Sequence, residues 1–216
     1  MIAPTIDTKS IIDLIIFDLD GVLIDSAKLM KKAWDETCLI FSLDIDFSEF
    51  IKYIGKKFDE ILNDLKIDHS IARKFSDTYF SKCAENIDFI EPFENVHLCL
   101  KELSKKFKIS INTSKPQKNT TLILKKFFND IDFDLVCCPE LIPSNRGKPA
   151  PDSLLYICSN IGVDPKNAIY VGDMDVDSEC AQRASINYIH AGWGYGKPHE
   201  INAIWFETIM DLKTYF

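Results

Sequence analysis

The chain has 216 residues, 46% hydrophobic and 27% charged, which excludes disordered and fibrous classes and leaves room for one core, or a core with a smaller insert. Its net charge of −8 argues against non-specific nucleic-acid binding, because phosphate backbones need Lys and Arg. Seven cysteines, odd in number and without a CxxC pair, point away from a disulfide framework or zinc site and towards reduced thiols in a cytoplasmic protein.

Residues 1–10 lack a basic region followed by a long apolar stretch, and the first apolar run, 11–17, is interrupted by Asp13. That run is too short for a signal-peptide core or a membrane span, so no membrane partner is expected. Its β-branched, almost continuous apolar character predicts a strand buried on both faces of a parallel sheet. It ends abruptly in Asp18-Leu19-Asp20-Gly21. From 26 to 86, apolar residues recur at helical spacing, as in Ala27, Met30, Ala33, Trp34 and Cys38. The spacing predicts a bundle of about four helices, with Ser26, Ser48 and Ser70 at their caps or first turns.

After the turn-like 91–95 stretch, strands and helices alternate. Helices are predicted over 96–106, 117–129, 152–161 and 177–184, the third stopped by Gly162, and strands over 107–111, 133–137, 168–171 and 186–189. This alternation implies right-handed crossovers. The expected fold class is α/β: a three-layer α/β/α, Rossmann-like parallel sheet core (1–24 and 92–216) with an all-α cap domain (25–91) inserted after the first strand. The linkers at 24–26 and 91–96 would then act as hinges.

An open parallel sheet binds ligands at the carboxyl ends of its strands, so the polar residues there should converge. They are Asp18 and Asp20, Thr113 and Ser114, and Asp173 with Asp177, joined by Lys148 in a Gly-Lys-Pro segment. Clustered hard oxygen ligands without Cys or His suit magnesium. Each group also has a bland reading. Paired aspartates before a glycine are common in turns, Thr113 or Ser114 would serve equally as a helix cap, and a lone Gly-Lys-Pro lysine is usually exposed. Asp173-x-Asp175-x-Asp177 opens like a calcium loop, but Ser178 and Ala184 stand where that loop needs Gly and Glu. His69, His97, His190 and His199 show no metal spacing, and Cys137-Cys138 reads as buried core.

Four segments in order carry a resemblance. Phe17-Asp18-Leu19-Asp20-Gly21-Val22-Leu23, Asn112-Thr113-Ser114-Lys115-Pro116, Gly147-Lys148-Pro149-Ala150-Pro151-Asp152 and Val171-Gly172-Asp173-Met174-Asp175-Val176-Asp177 are similar to the four motifs of the haloacid dehalogenase-like superfamily. The nearest subgroup is that of the phosphoglycolate phosphatases with a helical cap, which 191–196 also resembles. The resemblance implies Asp18 as nucleophile and Asp20 as general acid and base. It implies Mg2+ held by the Asp18 and Asp173 side chains and the Asp20 carbonyl, with Asp177 acting nearby. Thr113 and Ser114 would bind the phosphoryl group and Lys148 would offset its charge. Gly55 and Lys56 resemble the cap's substrate-facing loop, although exposed lysines at a helix start would look the same. The partner expected is a small phosphorylated molecule, with the protein a monomer or homodimer. The alternatives are a sugar phosphomutase of the β-phosphoglucomutase type and a non-catalytic phosphate-binding regulatory protein.

Overall fold

A computed structural model describes residues 12–197 and 204–216. The reading of the first ten residues, the strand position at Ile11 and His199 fall outside them. In chain order the described elements are β1 (Leu14–Phe17), β2 (Ile24–Asp25), α1 (Ala27–Phe41), α2 (Phe47–Phe50), α3 (Phe58–Asp64), α4 (His69–Glu85), β3 (Glu91–Pro92), α5 (Val96–Leu103), β4 (Lys108–Asn112), α6 (Gln117–Phe127), β5 (Leu135–Cys137), α7 (Asp152–Ile161), β6 (Ala168–Gly172), α8 (Asp175–Ala184), β7 (Asn187–Ala191), β8 (Ile204–Phe206) and α9 (Met210–Tyr215).

Six strands form one parallel sheet in the order β5-β4-β1-β6-β7-β8. β1 lies in its interior, with Ile15 in register with Ile109 on one side and Ile169 on the other. Its four residues are fully buried because successive side chains enter different cores. Ile15 and Phe17 pack in the larger core, and Leu14 and Ile16 in a second one with Tyr170, Leu154 and Ile157. Burial on both faces is why this strand carries no polar alternation. Each such side chain contributes about 1.5–3 kcal/mol.

The helical block α1–α4 is built around aromatic rings. Trp34 stacks on Phe50 at 4.5 Å between centroids, Phe58 stacks on Tyr79 at 4.6 Å, and the Trp34 indole N–H donates to the Ile45 carbonyl at 2.9 Å. The caps of α2 and α4 are Asp46 and Asp68, which accept from the backbone N–H of Ser48 and Ser70 at 2.8 and 2.7 Å. Those two serines are therefore first-turn residues, the second of the readings allowed for them. Ser26 precedes α1 but makes no side-chain cap bond, its hydroxyl being used elsewhere. Asn95, before α5, takes φ +62°, a left-handed conformation that Asn tolerates next best after Gly.

Where the chain passes between sheet and helical block, β2 and β3 pair antiparallel, Ile24 with Pro92 and Asp25 with Glu91. Such two-residue strands are too short to show a hydropathy period. The α5 helix stops at Leu103, short of the expected 106, and α8 begins at Asp175, two residues earlier than expected. The second and fourth of the strands expected after the helical block also shift: β5 spans Leu135–Cys137 and β7 spans Asn187–Ala191. β8 and α9 extend the sheet and its covering layer beyond the predicted elements.

Candidate active site

The ladder itself aims Asp18. Its backbone N–H donates to the Val171 carbonyl at 2.9 Å, continuing the β1–β6 pairing one residue past the strand. Thr113 is held likewise, its N–H donating to the Cys137 carbonyl at 3.0 Å. Asp173 follows β6, and Asp177 sits in the first turn of α8, where one carboxylate oxygen accepts from the N–H groups of Asp173 and Met174 at 3.3 and 3.0 Å. Bonds from a helix's unpaired N–H groups suit an anion. Lys148, from the β5–α7 connection, reaches in to donate to Asp18 Oδ1 at 2.7 Å and Asp177 Oδ1 at 2.8 Å. The second Asp177 contact is the Tyr170 hydroxyl at 2.8 Å, a donor that the sequence reading missed because Tyr170 looks like a core strand residue.

Asp18, Asp173 and Asp177 are all buried, and each offers a carboxylate oxygen within 4.8 Å of the others. Burial pushes the Asp18 carboxyl up to about 7 against the pull of Lys148, with the charges of Asp177 and Asp20 adding to the rise. Burial also lifts Asp173 well above the usual carboxylate range, reinforced by Asp177 and Asp18. For Lys148, burial opposes the charge, but the two carboxylates outweigh it and hold the ammonium above its ordinary value.

Asp173 makes the strongest case for a missing partner. Its Oδ2 accepts the Tyr195 N–H at 2.7 Å, while its buried Oδ1 has no hydrogen-bond partner. Glycines crowd it: a Cβ on Gly21 would lie 2.2 Å from Asp173 Oδ2, and one on Gly194 2.4 Å from Asp173 Cβ. Gly21 also takes φ +85°. One lysine facing three buried carboxylates, all-oxygen donors and an orphaned oxygen fit a hard divalent cation.

Asp20 is turned away from this cluster. Its Oδ1 accepts from the Ser26 hydroxyl at 2.5 Å, and its Oδ2 pairs with Lys115 Nζ at 3.1 Å. The two carboxylates of the first motif are thus separated, Asp18 within the buried acidic cluster and Asp20 beside Ser26 and Lys115. Sequence reasoning took Ser26 only for a helix-start residue and gave Lys115 no site role, although Lys115 lies inside the second quoted motif. The 191–196 loop packs against the start of the helical block: Trp193 donates to the Val22 carbonyl at 2.9 Å, and the Tyr195 hydroxyl accepts the Ser26 N–H at 2.7 Å.

Neither Thr113 nor Ser114 caps α6. Gln117 N–H, in its first turn, is taken by the Glu140 carboxylate at 3.1 and 3.2 Å. Thr113 Oγ1 accepts from the Lys115 N–H at 3.1 Å, and Ser114 Oγ donates to the Gly55 carbonyl at 2.6 Å, bridging to the helical block. Gly55 takes φ +94°, and a Cβ there would meet Val176 Cγ2 at 2.7 Å. Lys56 reaches the cleft, but its ammonium pairs with Asp64 at 2.8 Å and lies 5.1 Å from the centre of the Tyr53 ring. Arg146 is exposed and bound to Asp152.

Asp18, Asp20, Gly55, Lys56, Thr113, Ser114 and Lys115 line a cleft of about 60 Å³. A wider opening of about 620 Å³ lies on the far side of Ser114, between α4 and the start of α6, and neither Asp18 nor Asp20 lines it. The seven cysteines are free and buried, and burial pushes the Cys137 and Cys138 thiols up to about 12 and about 11, which marks them as core rather than redox groups.

Fold and site together define a Rossmann-like enzyme whose carboxylate-rich centre is built at the carboxyl ends of parallel strands. The family model described as haloacid dehalogenase-like hydrolase matches residues 15–191, and the chain belongs to that family. It is 30% identical over 186 residues to the phosphoglycolate phosphatase of Aquifex aeolicus, covering 85% of this chain and 86% of that protein. It is 27% identical over 187 residues to the pyrophosphatase PpaX of Oceanobacillus iheyensis, covering 83% of each. A crystal structure of a Lactobacillus plantarum protein superposes with a TM-score of 0.88 at 22% identity, across 95% of this chain and 100% of that one.

Proposed function

We propose that this hydrolase is a magnesium-dependent phosphatase that cleaves a small phosphate monoester through a phosphoryl group carried on Asp18. The observation that carries the reading is the division of labour between two carboxylates two residues apart. Asp18 is locked beside Lys148 and the acidic cluster, whereas Asp20 faces the cap-side cleft between Ser26 and Lys115.

The Asp18 carboxylate attacks phosphorus, and the bond from phosphorus to the leaving oxygen breaks. Asp20 gives that oxygen a proton, then takes one from the water that cleaves the acyl phosphate. The Thr113 hydroxyl and the Ser114 backbone hold the phosphoryl oxygens, and Lys148 offsets their charge. Magnesium would be held by Asp18, Asp173 and the Asp20 carbonyl, with Asp177 beside it, and when bound it supplies the charge that lets a carboxylate approach a phosphate.

We assign 25–91 as the cap and 1–24 with 92–216 as the catalytic core, the β2/β3 pair being the hinge and the cap excluding water during transfer. Seven reduced thiols support a cytoplasmic location.

The test is phosphate release from a panel of monoesters, with and without Mg2+, for wild type and Asp18→Asn. Turnover that needs Mg2+ and falls about 10³-fold or more in the variant is expected. Turnover that survives in Asp18→Asn would refute the Asp18 route. Isomerisation of a sugar phosphate without phosphate release would replace the phosphatase reading by a mutase.

A further inference from the structure

Lys115 is a buried cation that the roles above leave unused. Its side chain is 8% exposed. Its stem lies in an apolar crevice with Leu29, Cys83 and Ile90, and its ammonium stands 3.1 Å from Asp20 Oδ2. Burial opposes the charge, but Asp20 and Cys83 outweigh it and keep the pKa above the ordinary lysine value.

Three observations define what this ammonium faces. The first is its side of the site. Asp20 is the group that protonates the leaving oxygen, so a cation on Asp20 lies on the leaving-group side, while Lys148 is committed to Asp18 and Asp177 on the other. The second is its spare capacity. An ammonium has three N–H donors, and among the described residues its one ion pair is with Asp20, whose second oxygen already accepts from Ser26. Buried donors without acceptors are costly, and an anion would satisfy them. The third is the cleft. Its cap wall is apolar, with Phe50, Ile54, Phe58, Ile61 and Tyr79, so the cations lining it are Lys115 and Lys56. The other lysine on that cleft, Lys56, is already neutralised by Asp64.

We infer that Lys115 is the specificity residue of this site, binding an anionic group carried on the leaving side of a small monoester, close to the bridging oxygen. The inference rests on the phosphatase reading. The substrate class is then a phosphoryl group joined to a short carboxylate or to a second phosphate. A neutral alcohol of the same size leaves the Lys115 donors unpaired, and buried polar groups left unpaired are what rejects such analogues.

The experiment compares kcat/KM for 2-phosphoglycolate, inorganic pyrophosphate and 2-hydroxyethyl phosphate in wild type, Lys115→Met and Lys115→Arg. 2-Hydroxyethyl phosphate replaces the carboxylate by an alcohol at nearly constant size. Wild type is expected to prefer at least one anionic substrate over the alcohol. Lys115→Met should lower that preference about 30-fold or more, chiefly through KM, while Lys115→Arg retains most of it. Whichever of the carboxylate and the second phosphate shows the preference identifies the anion.

Wild type hydrolysing all three without preference overturns the inference, even if Lys115→Met does not fold. So does Lys115→Met lowering all three equally, the signature of a merely structural lysine. No turnover on any of the three, or turnover that survives Asp18→Asn, sinks the phosphatase reading itself, a failure distinct from loss of preference alone.

Discussion

Adding Mg2+ should stabilise the folded chain, and Asp173→Asn should abolish the effect. The structural basis is the imbalance of one lysine against three buried carboxylates, with Asp173 Oδ1 left unpartnered. A ligand present at 100 times its Kd stabilises the native state by about 2.7 kcal/mol. For a chain of this size each kcal/mol is worth about 2–4 °C, so the melting temperature should rise by about 5–10 °C. The pH dependence has a definite sign. Asp18 is pushed up to about 7 and Asp173 is raised well above the usual carboxylate range, against about 3.9 for an unfolded aspartate. The metal-free native state therefore binds protons more tightly than the unfolded chain, and its stability falls as pH rises from about 4 towards 7. A cation competes with those protons, so the Mg2+ effect should be larger at pH 8 than at pH 5.5. Thermal unfolding followed by circular dichroism, at both pH values, measures all of this without relying on activity. A melting temperature unmoved by Mg2+ at pH 8, or an equal shift in Asp173→Asn, would refute the reasoning.

Two further outcomes are expected. Gly194→Ala would place a methyl group 2.4 Å from Asp173 Cβ and 2.6 Å from the Gly21 carbonyl oxygen, so it should cost about 1–3 kcal/mol in urea unfolding and shrink the Mg2+ shift. A variant that keeps both stability and shift would show that the 191–196 loop does not hold Asp173. Lys56→Ala should change kcat and KM by less than about threefold, because its ammonium is already spent on a half-exposed pair with Asp64. A rise in KM as large as that of Lys115→Met would move the anion contact to the cap loop.

Both the interior strand and the positions of the site residues were legible in the sequence, for a common reason. A strand buried on both faces must be apolar throughout, so the polar residues that end it stand out against it: Asp18 after β1, Thr113 after β4 and Asp173 after β6. The helical block was legible because its apolar spacing follows the helix period. Its caps were assigned less sharply, since Asp-x-Ser allows either residue to cap, and the aspartates take the bonds. The β2/β3 pair was not legible, because two residues carry no period.

The sequence by itself determined the α/β class, the helical insert and the order of polar groups along the strand ends, since these follow from local hydropathy period and from where apolar runs stop. Only the tertiary structure decided what each group faces. Lys148 meets Asp18 across 130 positions of sequence and Asp177 across 29, a pairing made by the parallel register. Asp18 and Asp20 are neighbours in sequence, yet they part company in space because Gly21 turns the chain and Ser26 and Lys115 draw the second carboxylate towards the cap. Nothing local in the sequence marks Lys115 as buried. Its burial depends on Leu29 and Cys83, contributed by helices 86 and 32 residues away in the chain, and no local pattern records such a contact.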